Sequence, residues 1–396
     1  MVILWAGYAF SKDYSTPRGH MYALQDIVHS LRTGAPMGVA DGPQFASCWV
    51  CKSSDVPRMI EAIGVDSFYN NKWAAWGAEI VNPIGCADCH EPKNMDLHIS
   101  RPSLTEAFSR QGRDITYATP QEMRSLVCAQ CHSEYYFKGN IKYPTFPWDK
   151  GFTVEDLEKY YDEIGFTDYI HKLSRAPILK AQHPDYEIFK MGIHAQRGVS
   201  CADCHMPYND EGGIKYSDHH IQNPLAVTER TCQTCHRDNK ETLCKNVYER
   251  QQKANELRTL LEKELAKAHI EAKFTWDIGA TENEMQEALL LIRQAQWRWD
   301  FGVSSHGGSF HAPQETMRIL GHGLNKVFQA RMLISKVLVA HGYTDNVPLP
   351  DITTKEKAQQ YIGLDMAVEK ADKDKFLKEI VPEWLQKAKA NGRIVN

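Results

Sequence analysis

Ten of the eleven cysteines in this 396-residue chain fall into five C-x-x-C pairs. They are Cys48/Cys51, Cys86/Cys89, Cys128/Cys131, Cys201/Cys204 and Cys232/Cys235, with Cys244 left over. Four pairs are followed at once by histidine, giving CADCH, CAQCH, CADCH and CQTCH ending at His90, His132, His205 and His236. C-x-x-C-H reads as c-type haem attachment. Two thiols three residues apart can form thioethers with one macrocycle, and the next residue then offers its imidazole to the iron. A single such motif could be a redox dithiol or half of a zinc site. Neither alternative requires a histidine after the second cysteine four times over, and disulfides would not need so uniform a spacing.

The first pair departs from the rest: Cys48-Trp49-Val50-Cys51 is followed by Lys52. Alone it could be a redox dithiol. Beside four haem motifs it reads as a fifth haem with the Lys52 amine as proximal ligand. A lysine must be neutral to bind a metal, so desolvation and the iron must depress its pKa. That cost points to function at this haem, because histidine would serve for electron storage. Five motifs within residues 48–236 mean haems packed against one another, supplying much of the core and passing electrons quickly. Attachment to reduced thiols after oxidation predicts maturation outside the cytoplasm, in the periplasm.

The chain that must position these groups has two characters. Residues 1–240 carry every motif and much loop-like sequence, such as Tyr143-Pro144-Thr145-Phe146-Pro147-Trp148. Short helices are expected between motifs, as at Pro120–Cys131, which opens on proline and runs into CAQCH. Residues 241–396 are expected to be mainly long helices, over Glu241–Lys273, Glu282–Phe301 and Pro313–His341. In the first of these, Val247, Leu257, Leu260, Leu261, Leu265 and Ala268 return at helical spacing. Apolar residues on two sides predict that part of this tail is a dimer interface. The fold class is therefore mainly α, a multihaem cytochrome with haems in the core, the two regions forming one compact domain.

Composition narrows the function further. Lysine and arginine total 46 against 50 acidic residues, and no basic stripe stands out, so nucleic acid is not an expected partner. No apolar run approaches the roughly 18 residues of a membrane span, so a soluble chain is expected. Met1–Trp5 is too short for a signal peptide. The expectation is either that a leader has been removed or that the sequence begins inside a longer precursor.

One lysine motif followed by four histidine motifs and a long helical C-terminus resembles cytochrome c nitrite reductase, the pentahaem ammonia-forming family. The resemblance runs from Trp5-Ala6-Gly7-Tyr8 past Trp297-Arg298-Trp299-Asp300. It implies six-electron reduction of nitrite to ammonium at the Lys52 haem, with hydroxylamine, nitric oxide and sulfite as further substrates. Cys131-His132-Ser133-Glu134-Tyr135-Tyr136 looks like the family's CxxCH-x-E-Y-Y, which makes Tyr135 the active-site tyrosine. Lys180-Ala181-Gln182-His183-Pro184 looks like its K-x-Q-H-P, which makes His183 the distal catalytic histidine, and Arg32 matches the active-site arginine. Arg32 and His183 would hydrogen-bond nitrite oxygens, with His183 and Tyr135 supplying protons.

The same resemblance implies a calcium ion held by oxygens of Glu134, Tyr135, Lys180 and Gln182. It pairs distal His20 with the third haem, His219 with the second, His194 with the fifth and His311 with the fourth. His220 stays open as an alternative to His219, and His306 as an alternative to His311. His29, His98, His171, His269, His322 and His341 are expected to be structural or solvated, and Cys244 a buried free thiol. The nine tryptophans are expected against porphyrin edges. The implied donors are a membrane-bound multihaem quinol dehydrogenase or a small soluble multihaem cytochrome, with a homodimer formed through the C-terminal helices. The rival readings are a pure electron-transfer cytochrome, or a multihaem reductase of hydroxylamine or tetrathionate.

Overall fold

A computed structural model describes residues 1–15 and 17–394. The tail folds where apolar periodicity and end signals agree. The first long helix spans Lys240–Asp277, opened by the Asn239 side chain accepting from Thr242 N at 2.8 Å. The second, Glu282–Ser304, begins with a capping box between Thr281 and Glu284, and the third, Pro313–Ala340, begins with proline at its first turn. Such caps satisfy amides that a helix leaves unpaired at its start. Two more helices follow, Lys355–Tyr361 and Met366–Ala390. Among the described residues, no helix is long and apolar enough to cross a membrane.

The long helices pack on one another around Leu261, Leu265, Ala268, Ile292, Trp299, Val327 and Ile334. Leu260 departs from the expected apolar set, standing 45 % exposed. The chain start belongs to this core: Ile3, Leu4, Trp5 and Ala6 are buried in the same cluster. Gln296 of the second long helix donates to the Leu4 carbonyl at 2.7 Å. The two sequence regions thus share a core.

Residues 1–240 build short 3-10 turns, helices of ten residues or fewer and three two-stranded hairpins. The helix expected at Pro120–Cys131 is found at Pro120–Ala129, capped by Thr119, and ends inside CAQCH. The hairpin of Tyr136–Lys138 with Tyr143–Thr145 pairs Tyr136 with Thr145 and directly follows that motif.

The tryptophans do not line the haem region as expected. Trp49 stacks on Trp73 at 4.7 Å between ring centroids, and Trp5 packs against Trp299 at 5.6 Å. None of the nine borders the central cavity. Their large apolar surfaces are spent on the protein's own cores. Cys244 is free but only half-buried, because it lies in the first turns of a helix whose start faces solvent.

Candidate active site and haem cavity

Each attachment motif sits on a tight turn. In three of them the histidine N–H donates to the carbonyl of the first cysteine, at 2.8 Å for His90, 2.9 Å for His132 and 2.8 Å for His236. The CADCH of residues 201–205 is itself a short helix, capped by Ser200 and Asp203. One helical turn places residues three and four apart on one face, so both thiols and the imidazole point the same way. The lysine motif is wound tighter, with Lys52 N donating to Trp49 O at 2.8 Å, one residue nearer.

All ten paired cysteines line one continuous cavity of about 3390 Å³, together with Lys52, His90, His132, His205 and His236. An ordinary ligand pocket measures roughly 300–1,000 Å³. All eleven thiols are free. The motifs also adjoin one another: Cys131 is the largest influence lowering the Cys51 thiol, and Cys201 the largest raising that of Cys128. The first, third and fourth attachment points are therefore contiguous.

Facing these motifs the structure brings in histidines from distant segments. His20 lies 6.0 Å from His132 between ring centroids, and His219 lies 6.0 Å from His90. His194 lies 6.2 Å from His236, and His311 lies 6.3 Å from His205. A metal–imidazole bond is roughly 2 Å, so two rings facing each other across one metal have centroids roughly 6 Å apart. His90, His205 and His219 each place Nδ1 on a backbone carbonyl, of Met95, Gln222 and Ser217 respectively, at 2.6, 3.0 and 2.9 Å. Such bonds hold the Nδ1–H tautomer and leave Nε2 as the lone-pair donor. The donor set and the cradle fit c-type haems.

His220 and His306 line the same cavity but are not brought onto a motif histidine; His306 instead lies 5.2 Å from His183. His311 is held by close packing, since a Cβ on Gly192 would collide with its carbonyl and one on Gly307 with its ring. His29, His98, His171, His269, His322 and His341 do not border the cavity.

The chain containing these motifs matches the model of the cytochrome c552 family over residues 1–392. It belongs to that family. Cytochrome c-552 of Bacteroides thetaiotaomicron is 76 % identical over 394 residues, covering 100 % of this chain and 80 % of the relative. Cytochrome c-552 of Haemophilus influenzae is 47 % identical over 420 residues, covering 100 % and 78 %. Among solved structures, cytochrome c nitrite reductase from Desulfovibrio desulfuricans aligns with a TM-score of 0.78 at 31 % identity. That alignment covers 93 % of this chain and 78 % of the other, whose catalytic subunit has two calcium sites. The helical multihaem fold and c-type haem as cofactor follow for this chain.

Arg32, Tyr135 and His183 all border the cavity of this cytochrome. Arg32 lies on the turn Leu31–Thr33, its Nε donating to Ser30 Oγ at 3.1 Å and its guanidinium lying 4.5 Å from the Phe10 ring centre. Gln44 joins that turn to the lysine motif, donating to Arg32 O at 2.8 Å and accepting from Cys48 Sγ at 3.1 Å. Burial raises the Tyr135 phenol well above its ordinary pKa, with Cys51 and Cys48 as the next contributors. The phenol therefore keeps its proton beside the lysine motif.

His183 precedes the helix Asp185–Met191, and its ring lies 4.4 Å from that of His132. Its Nε2 is 2.9 Å from Asp185 Oδ2, out of line for a hydrogen bond. Burial would raise Asp185, yet His132 and His183 outweigh it and hold the carboxyl well below the usual range. Asp185 Oδ1 accepts from Gly307 N at 3.1 Å, which ties this group to the loop before His311.

Glu134 is fully buried, accepting from Tyr161 Oη at 2.9 Å and from Gln182 N at 2.6 Å. Gln182 Nε2 lies 3.5 Å from Lys180 O, so the Glu134, Lys180 and Gln182 segments adjoin one another. The Lys180 ammonium is turned away to Asp300, 3.1 Å distant. Burial raises Glu134 well above the usual carboxyl range. A hard cation bound here would favour the ionised carboxylate that burial disfavours. Asp168, which accepts from Lys180 N at 2.8 Å, carries no motif, and neither do Asp185 and Tyr161; only tertiary structure brings them here.

Proposed function

We propose that this chain is a periplasmic pentahaem reductase that converts nitrite to ammonium with six electrons at a lysine-ligated haem. The observation that carries the reading is the set of four histidine pairs. They use all four expected distal histidines on the histidine motifs and leave none for Lys52. Family membership and the likeness to a nitrite reductase support the same reading. His90, His132, His205, His236 and Lys52 would be proximal ligands, and His219, His20, His311 and His194 distal ones. When bound, the haems would supply a substrate-binding iron at Lys52 and a store of electrons around it.

The remaining work falls to the chain's own side chains. Arg32 would hold the anion by its oxygens through the planar fork of its guanidinium. His183 would hydrogen-bond the same oxygens and transfer protons as they leave as water. Tyr135, kept neutral by burial, is a further donor. Calcium held by Glu134, Gln182 and the carbonyls of Tyr135 and Lys180 would tie the Tyr135 and His183 segments into one frame, and would offset the burial that raises Glu134. Hydroxylamine and nitric oxide would fit the same site. Electrons would come from a membrane-bound multihaem quinol dehydrogenase or a small soluble multihaem cytochrome, and a homodimer would form through exposed apolar residues such as Leu260, Phe328 and Met332.

The test is ammonium release from nitrite with reduced viologen, comparing the haem-loaded protein with its His183→Ala variant. The intact protein should release ammonium and the variant at least about a hundredfold less, the scale of a lost general acid. No ammonium from the intact protein sinks the reading. A spectrum unmoved by nitrite or cyanide would return the chain to the class of electron-transfer cytochromes.

A further inference from the structure

Where the first three attachment segments meet lies a buried arginine that no haem motif contains. Arg101 is 1 % exposed and spreads its donors over all three segments. Its Nε donates to Val50 O at 2.9 Å and its Nη2 to Ser53 O at 2.8 Å, so the two bonds bracket Cys51 and Lys52. Nη2 also lies 2.5 Å from Asp88 Oδ1, and Asp88 is the second of the two residues between the cysteines of the second motif. Asp88 Oδ2 in turn accepts from Gly85 N at 2.7 Å, at the head of that motif.

The third segment joins through the backbone. Arg101 N donates to Gln130 Oε1 at 3.1 Å, and Gln130 is the second of the two residues between the cysteines of the third motif. Gln130 Nε2 then donates to Asp88 O at 2.7 Å, which closes the ring of contacts between the second and third segments. Ser100 Oγ accepts from Arg101 Nη1 at 2.7 Å.

Two features of the lysine motif give this clamp a purpose. Its turn is closed one residue tighter than the histidine turns. Lysine is also a long, flexible ligand, where imidazole is short and planar. A lysine ligand therefore leaves more freedom for the backbone that carries it, and that freedom must be removed elsewhere. A guanidinium can remove it, being planar, always charged and armed with several donors in a fixed fork, which an ammonium lacks.

We propose that Arg101 is a positioning residue for the lysine-ligated haem. It fixes the backbone on both sides of Lys52 and sets that segment against those of the second and third haems, with a permanent charge at their junction. The inference rests on the reading of Lys52 as a haem ligand but not on the substrate.

The test uses two variants of the haem-loaded protein. Arg101→Lys keeps the charge and loses the fork. It should retain five haems by mass and the low-spin signals of the histidine-ligated haems. The high-spin signal of the Lys52 haem should broaden or shift, and kcat should fall about ten- to a hundredfold, the scale of a small misplacement at a reacting centre. Asp88→Asn keeps the fork and removes the counter-charge. Reduction potentials on the first three motifs should then rise more than those on the fourth and fifth. The inference is overturned if Arg101→Lys has the parent high-spin signal and kcat, or if all five haems change alike. Should Arg101→Lys fail to fold, Asp88→Asn decides: equal shifts at all five haems, or none, overturn it. Absence of nitrite reduction in the unmodified protein would sink the enzymatic reading and leave the spectral test of Arg101 intact.

Discussion

The two halves of this molecule reach order by different routes. Residues 241–396 are long helices whose caps, periodicity and mutual packing build most of one core, completed by Ile3, Leu4, Trp5 and Ala6 of the chain start. Residues 1–240 are short turns and hairpins arranged around a cavity of about 3390 Å³. Protein interiors pack to nearly crystalline density, so an opening of that size is stable only as a container. The first region is therefore expected to depend more on its cofactor, although His306 and His311 of the tail also border the cavity.

The largest break in this comparison comes from withholding haem. Produced without haem attachment, the chain should lose amide-exchange protection across most of residues 1–240 while the three long helices keep theirs. Protection spread evenly over both halves would refute the distinction.

A smaller effect should follow from cutting a buried link between the halves. Glu158 takes both guanidinium nitrogens of Arg298 at 2.9 Å, joining the helix Val154–Glu163 to the second long helix. Glu158→Ala leaves Arg298 buried without its partner, which typically costs about 3–5 kcal/mol. Denaturant unfolding of the haem-loaded variant measures that loss. A change under about 1 kcal/mol would show the halves to be joined chiefly by apolar packing.

The last prediction sharpens the contrast through acid. His171 and His269 stack at 3.6 Å in the helical core, away from the cavity. Burial lowers His269 from 6.5 to about 4, and burial followed by His269 lowers His171 well below its ordinary value. Both are neutral when folded and take up protons more readily when unfolded. Their contribution is thus present above about pH 6.5 and declines as pH falls toward 4. His269→Gln should flatten the fall of thermal midpoint across that window, its share amounting to about 3 kcal/mol at most. An unchanged slope would place the acid sensitivity in the haem half.

Much of the long-helix half is legible in the sequence, because caps and apolar spacing act within a few residues. The expected Glu241–Lys273 became Lys240–Asp277, and Glu282–Phe301 became Glu282–Ser304. Leu260 falls outside the expected set because its helix carries apolar residues on two sides and only packing chooses between them. The tryptophans and Cys244 depart from expectation for the same reason: residue type sets a preference for burial but not which core provides it.

In the haem half, the ten cysteines and the residues that follow them are readable from the chain alone. Two thioethers and an axial ligand on one macrocycle require a fixed local spacing. The distal side has no such rule. His20 reaches His132, and His311 reaches His205, across more than a hundred residues each. Family likeness could name those partners, whereas spacing could not. Arg101, Asp88, Gln130 and Asp185 carry no mark at all. Their roles come from carbonyls and side chains that the folded backbone gathers from separate segments. Covalent attachment is written into consecutive residues; the opposite faces of the haems and the groups around Lys52 exist only once the chain has closed on itself.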